Sequence, residues 1–222
     1  MRFGSYLAAF ALTLLVFTSF DTVQSASAQA VVPEEATTCA FSAWTSNKKP
    51  FIEVRGEPSD AAKIVGQIPT VSDAAEAQYA YSIYFDVKEA RDGWLKIANA
   101  SDAYNKESDD YVPREIYEGE GWIRSDEATI GIQSARGFLK PETESERLLD
   151  IGSDWLTEMG QINNILACRE DWLLLDYTLL RKRLPSEQLV ELSSGEQSIG
   201  RAWFRGLCSN AETTCDMKSV DP

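Results

Sequence analysis

Ile52 to Pro69 reads IEVRGEPSDAAKIVGQIP. Ile52 and Val54 alternate with Glu53 and Arg55, the period-two pattern of a half-buried strand. Gly56-Glu57-Pro58-Ser59-Asp60 supplies turn residues, and Lys63-Ile64-Val65-Gly66 leads back into apolar ones. The stretch therefore predicts a strand, a turn and a second strand. A blurred copy, FLKPETESERLLDIG, begins at Phe138, with Pro141 standing for Pro58. Each copy is followed by two strands centred on tryptophan. In the first half these are Gly93-Trp94-Leu95-Lys96-Ile97 and Gly121-Trp122-Ile123-Arg124. In the second they are Asp171-Trp172-Leu173-Leu174-Leu175 and Ala202-Trp203-Phe204-Arg205. One small β module is written twice, which divides the chain into residues 1–30, 31–133 and 134–222.

Within the first module, Tyr81, Ile83, Phe85 and Val87 alternate with polar or outward residues, predicting another strand with one buried face. Asp92-Gly93 forms a turn directly before Trp94. From Ile97 to Gly121 the chain is polar and acidic and reads as a long hairpin loop with little core. Its carboxylates lack the Asp-x-Asp-x-Asp-Gly spacing that wraps calcium from a single loop, so a solvated loop is the better reading. In the second module, Ser153 or Asp154 is placed to cap a short helix ending at Gly160. Asn163-Asn164 then reads as a turn, and the polar insertion from Arg181 to Ile199 has room for a short helix from Ser186 to Leu192.

The first segment carries Arg2, an apolar run from Tyr6 to Phe20 and the ending Ala28-Gln29-Ala30. The run is shorter than the ~20 residues of a membrane span, and the Ala-x-Ala ending suits removal of a secretory leader after Ala30. The expected location is periplasmic or secreted, with no membrane insertion after cleavage. The net charge of −14 disfavours nucleic acid and anionic lipid as partners, because like charges repel.

Cys39, Cys168, Cys208 and Cys215 all lie after the leader, and an even count in an oxidising compartment implies disulfides. Without histidine or Cys-x-x-Cys the usual zinc ligand sets cannot be assembled, so neither a metal nor another cofactor is expected. Four cysteines allow three pairings. The short loop SNAETT between Cys208 and Cys215 favours a local bridge and leaves Cys39 for Cys168, while a hairpin of the Trp172 and Trp203 strands keeps Cys168 with Cys208 open.

The first module resembles the bacterial SH3-like (SH3b) domain, in Val54 to Ser59, Lys63 to Gly66, Gly93 to Ile97 and Gly121 to Ser125. The second departs from that pattern. Lys140-Pro141-Glu142 lacks the arginine, Asp171 replaces the glycine before Trp172, and Arg201-Ala202 replaces the glycine before Trp203. The resemblance implies an all-β protein of two tandem, small, partly open SH3-like barrels with long polar insertions. In that family such modules bind cell-wall peptides or protein partners and perform no chemistry.

Strand alternation adds a derived expectation. If Leu95 and Ile97 face inward, Trp94 and Lys96 face outward, as do Trp122 with Arg124, Trp203 with Arg205, and Trp172. Exposed aromatic and arginine side chains are favoured interface anchors, so these seven residues are the candidate ligand surface. The competing structural role is that the rings pack against the insertions or the other module. Histidine-based nucleophilic machinery is excluded by composition, and no pair of carboxylates stands out for acid chemistry. The sequence thus predicts a non-catalytic exported binding protein, with an acidic inhibitor or immunity-type protein that neutralises a cationic toxin or hydrolase as the alternative.

Overall fold

The computed structural model describes residues 28–72, 82–102, 114–152, 154–180 and 198–208. Among the described residues it is all-β apart from one short α-helix and a 3₁₀ turn, and their strand pairs are antiparallel. The first half contributes β1 (Thr37–Thr45), β2 (Phe51–Arg55), β3 (Ile64–Pro69), β4 (Tyr84–Arg91), β5 (Trp94–Asp102), β6 (Arg114–Tyr117) and β7 (Gly121–Arg124). A 3₁₀ turn over Ser125–Glu127 leads to β8 (Ala128–Thr129) and β9 (Gly131–Ile132). The second half contains β10 (Arg136–Phe138), β11 (Arg147–Asp150), α1 (Leu156–Met159), β12 (Gly160–Arg169), β13 (Trp172–Leu179), β14 (Ile199–Phe204) and β15 (Leu207–Cys208).

The duplication is written into the topology. The larger sheet contains the order β3-β2-β7-β5-β4, and the smaller sheet runs β11-β10-β14-β13-β12. Each strand of the first series has its counterpart in the second, joined in the same way. The larger sheet adds β1 and β8 beyond β4, and β6 on β5. Among the described residues neither sheet closes on itself, and a two-stranded ribbon of β9 and β15 joins the halves.

Local sequence accounts for these elements. Ile52, Val54 and Ile68 are buried on β2 and β3, whereas Phe51 and Glu53 point to solvent. The β4–β5 hairpin turns through Asp92 and Gly93, both at positive φ (46° and 78°), the geometry of a tight two-residue hairpin. In the second copy Glu170 takes positive φ (55°) ahead of Asp171, so the turn survives without the glycine. Ile83, Phe85 and Val87 are buried as the alternation predicts, although regular strand begins at Tyr84. Tyr81 lies outside the described residues.

Several expectations are corrected. Asn163 and Asn164 do not turn the chain; β12 runs through them, accommodated by register shifts between Ile162 and Asn164 and between Ile165 and Ala167. Such bulges insert an unpaired residue without ending the strand. The acidic loop after Ile97 is shorter than expected, because β5 continues to Asp102 and pairs with β6. Its acidic tip at Ser108-Asp109-Asp110 lies outside the described residues, as does the expected helix from Ser186. The helix expected before Gly160 is present, but it is Trp155 that stands at its N-cap and no side chain closes it.

One apolar interior extends through both halves. It joins Ile52, Val54, Phe85, Leu95, Ile97 and Ile123 to Leu149, Leu156, Ile165, Leu175, Tyr177 and Phe204. Each fully buried large apolar side chain contributes about 1.5–3 kcal/mol, so this shared core is the main force holding the halves together. Tyr177 and Phe204 meet edge to face at 5.5 Å within it. Cys39 on β1 is bonded to Cys168 on β12 across the same seam. Cys208 is also disulfide-bonded; its expected partner Cys215 lies outside the described residues. Disulfides are bonds of oxidising compartments, which suggests a location outside the cytoplasm. No helix among the described residues is long and apolar enough to cross a membrane.

Candidate functional site

The register places the expected ligand surface on one sheet face. Trp94 is opposite Arg124, Lys96 opposite Trp122, and Trp122 opposite Arg55. The alternation is as expected, with Leu95, Ile97 and Ile123 in the core on the other side. The exposure is not. Trp94, Trp122, Trp172 and Trp203 retain only 5, 8, 7 and 6 % of their surface. Large rings stay covered because each exposes so much apolar area, and here neighbouring side chains cover them.

In the first half the cover is ionic. The Arg124 guanidinium lies 4.4 Å from the Trp94 ring centroid and pairs with Asp60 from the β2–β3 turn. Arg55 donates to Glu53 at 2.6 Å and to the carbonyl oxygens of Asp60 and Ala62. Lys96 donates to Glu89 at 2.9 Å, which holds its ammonium above the usual lysine range against the opposing effect of burial. These cations are therefore engaged within the sheet.

In the second half the cover is apolar. Trp172 and Trp203 pack with Phe138, Leu166, Ala167 and Leu174 in a separate cluster closed by Ala30. Phe138 meets Trp172 edge to face at 5.4 Å. Arg205 lies 5.8 Å from the Trp172 centroid, the counterpart of Arg124 over Trp94. Of the seven predicted residues, the structure thus brings Trp94, Lys96, Trp122 and Arg124 together on one face and Trp172, Trp203 and Arg205 on the equivalent face of the other sheet.

An opening lies beside Arg205. It is a crevice of about 510 Å³ walled by Ala40 and Phe41 of β1, Glu170 and Asp171 of the β12–β13 turn, and Leu173, Arg205 and Leu207. Its lining combines the apolar side chains of Phe41, Leu173 and Leu207 with one cation, Arg205, and two carboxylates, Glu170 and Asp171. Antiparallel register makes Asp171, Leu173, Arg205 and Gly206 the counterparts of Gly93, Leu95, Arg124 and Ser125. In the first copy that rim is occupied. The Ser125 hydroxyl donates to Asn164 Oδ1 at 3.3 Å and accepts the Ile165 N–H at 3.1 Å, so a length of β12 lies along it. In the second copy Gly206 has no side chain to do this, and the rim remains a crevice.

Phe41, Ala40, Glu170 and Leu207 were not among the predicted site residues. β1 falls outside the repeated unit, so nothing in the duplicated pattern signals that it faces the second copy. No protein-family model, curated protein or solved structure matches the chain.

Proposed function

We propose that the protein is a non-catalytic exported binding protein built from two SH3-like modules, and that it takes an extended peptide in the crevice beside Arg205. The reading is carried by the occupied counterpart: the equivalent rim in the first copy already holds an extended strand of this chain, at Asn164 and Ile165. An extended guest of similar width suits the open crevice. The apolar lining residues Phe41, Leu173 and Leu207 favour an apolar side chain, and Arg205 with Glu170 and Asp171 favours a guest carrying both charges. Peptide-containing cell-envelope material and the exposed segment of an envelope protein both fit that description.

A second reading draws on the net charge of −14. An inhibitor or immunity-type protein would present this acidity to a cationic toxin or hydrolase, and its association would weaken steeply with salt. Co-sedimentation with purified sacculi separates the two. A peptide binder sediments with sacculi, and Ala40→Trp, an exposed position on the crevice wall, abolishes this without disturbing the core. If the wild-type protein stays in solution and captures a basic partner instead, the peptide reading fails.

A further inference from the structure

The crevice beside Arg205 is lined by several separate segments, and a disulfide ties two of them together. Cys39 directly precedes Ala40 and Phe41 on β1, and Cys168 stands two residues before Glu170 at the β12–β13 turn. The bond between these cysteines therefore fixes one lining segment against another. Each segment is irregular where the bond meets it. The ladder from β1 to β4 slips between Thr38 and Phe41, so that Cys39 and Ala40 together stand opposite the single residue Lys88. A bulge of this kind leaves the extra residue without its ladder bonds. On the other segment, Glu170 and Asp171 form a two-residue turn with Glu170 at positive φ (55°). Beside the disulfide, the Cys168 N–H donates to the Thr37 hydroxyl at 2.9 Å, and that hydroxyl donates to the Ala90 carbonyl at 3.3 Å.

We infer that the Cys39–Cys168 bond is a redox gate on the crevice: the oxidised protein takes its guest, and reduction of the bond by a dithiol weakens the hold on it. One thiolate of the dithiol attacks a sulfur of the bridge. The S–S bond breaks, its electron pair leaves on the other cysteine, and that sulfur takes a proton. The second thiolate of the dithiol then attacks its own mixed disulfide and frees the first cysteine. The protein gains two electrons and two protons, and the dithiol becomes a disulfide. Two thiols stand farther apart than two bonded sulfurs, and Cys39 and Cys168 are buried among close-packed neighbours. The separation is taken up where the backbone is held least, at the β1 bulge and the Glu170 turn, and these are the segments that shape the crevice. The interior around Leu95, Ile123, Leu175 and Phe204 does not depend on them and keeps its packing. The gate also ties binding to location, because the bond persists only in an oxidising compartment.

This inference rests on the reading of the crevice as the peptide site, and the experiment separates the two. Soluble peptide fragments released from sacculi are titrated into the oxidised protein, into the protein reduced with dithiothreitol, and into the double variant Cys39→Ser, Cys168→Ser without reductant. The variant leaves the bond of Cys208 untouched, so it isolates the seam from that second disulfide. Affinity is expected to fall about tenfold in both altered forms, and by linkage saturating fragments should make the bond harder to reduce by the same factor. Amide exchange should quicken at Phe41, Glu170 and Asp171 while Leu95, Ile123 and Leu175 stay protected. Equal affinity in the variant and the oxidised protein, or a bond reduced as readily with fragments as without, overturns the gate and leaves the peptide reading standing. Loss of protection at the core amides together with the crevice amides also overturns it, since the bond would then hold the whole fold. Failure of the oxidised protein to bind any fragment overturns the peptide reading and the gate with it.

Discussion

Cys39 and Cys168 are bonded to each other across 129 positions of sequence, joining β1 of the first half to β12 of the second with their Cα atoms 5.4 Å apart. The Cys168 N–H also donates to the Thr37 hydroxyl at 2.9 Å, so the junction is pinned on both sides of the bridge. A crosslink between such distant positions restricts the unfolded chain strongly. Replacing both cysteines with serine is expected to lower stability by about 2–5 kcal/mol, measured by urea unfolding under non-reducing conditions. Loss of less than about 1 kcal/mol would mean that the shared core holds the seam without the bridge.

Gly121 and Gly137 fill equivalent niches from opposite sides. A Cβ on Gly121 would come within 2.5 Å of Val54 Cγ1 and 2.8 Å of the Arg55 carbonyl oxygen. One on Gly137 would come within 2.8 Å of the Ala202 Cβ and 2.7 Å of Phe204 Cζ. In the first copy the larger residue is on β2 and the glycine on β7; in the second the glycine is on β10 and the larger residue on β14. The missing glycine before Trp203 is thus compensated across the sheet. Gly121→Ala is expected to destabilise by about 1–3 kcal/mol. Val54→Ala in the same chain should recover only part of this, because the Arg55 carbonyl does not move away. Purely additive losses in the double variant would contradict the pairing.

Acid should weaken the fold through Asp86 and Asp150. Burial pushes both carboxyls up, but at Asp86 hydrogen bonds from Asn99, Lys88 and Ser42 outweigh it. At Asp150 the Gly152 N–H, Arg147 and Arg136 do the same, and both groups end below the usual carboxylate value of 3.8. A carboxyl depressed on folding adds stability above its unfolded value and loses it as pH falls through the lower folded value. The melting temperature should therefore fall on acidification below about pH 4, and Asp150→Asn should flatten part of that fall. Lys49 and Lys96 act in the opposite sense. Glu127 and Glu89 hold them above the usual lysine range, so their contribution is complete at neutral pH and fades only as alkali titrates them.

The repeat was legible because its signals are local. Alternation in Ile52 to Arg55, turn residues at Pro58 and the Trp-hydrophobic strands each reflect neighbours in sequence; the strand order, which sets β2 beside β7, is a long-range pairing that these local signals do not carry. The side of the sheet on which each tryptophan lies was legible for the same reason. Their covering was not, because Arg124 reaches Trp94 in company with Asp60, 64 positions earlier, and Ala30 reaches Trp203 from the far end of the chain. The bulged passage of β12 through Asn163 and Asn164 was hidden because asparagine is a turn former by local preference. Here tertiary contact with Ser125 decides its conformation instead. The crevice was out of reach of pattern reading, since its walls come from β1, a turn and β15.

The crevice beside Arg205 is tested most directly by mapping backbone amide shifts while soluble peptide fragments released from sacculi are titrated into the labelled protein. Binding there predicts shifts concentrated at Ala40, Phe41, Glu170, Asp171 and Leu207, and their loss in Ala40→Trp. Shifts gathered instead on the Trp94, Lys96 and Trp122 face, or no shifts at peptide concentrations that saturate sedimentation, would contradict it.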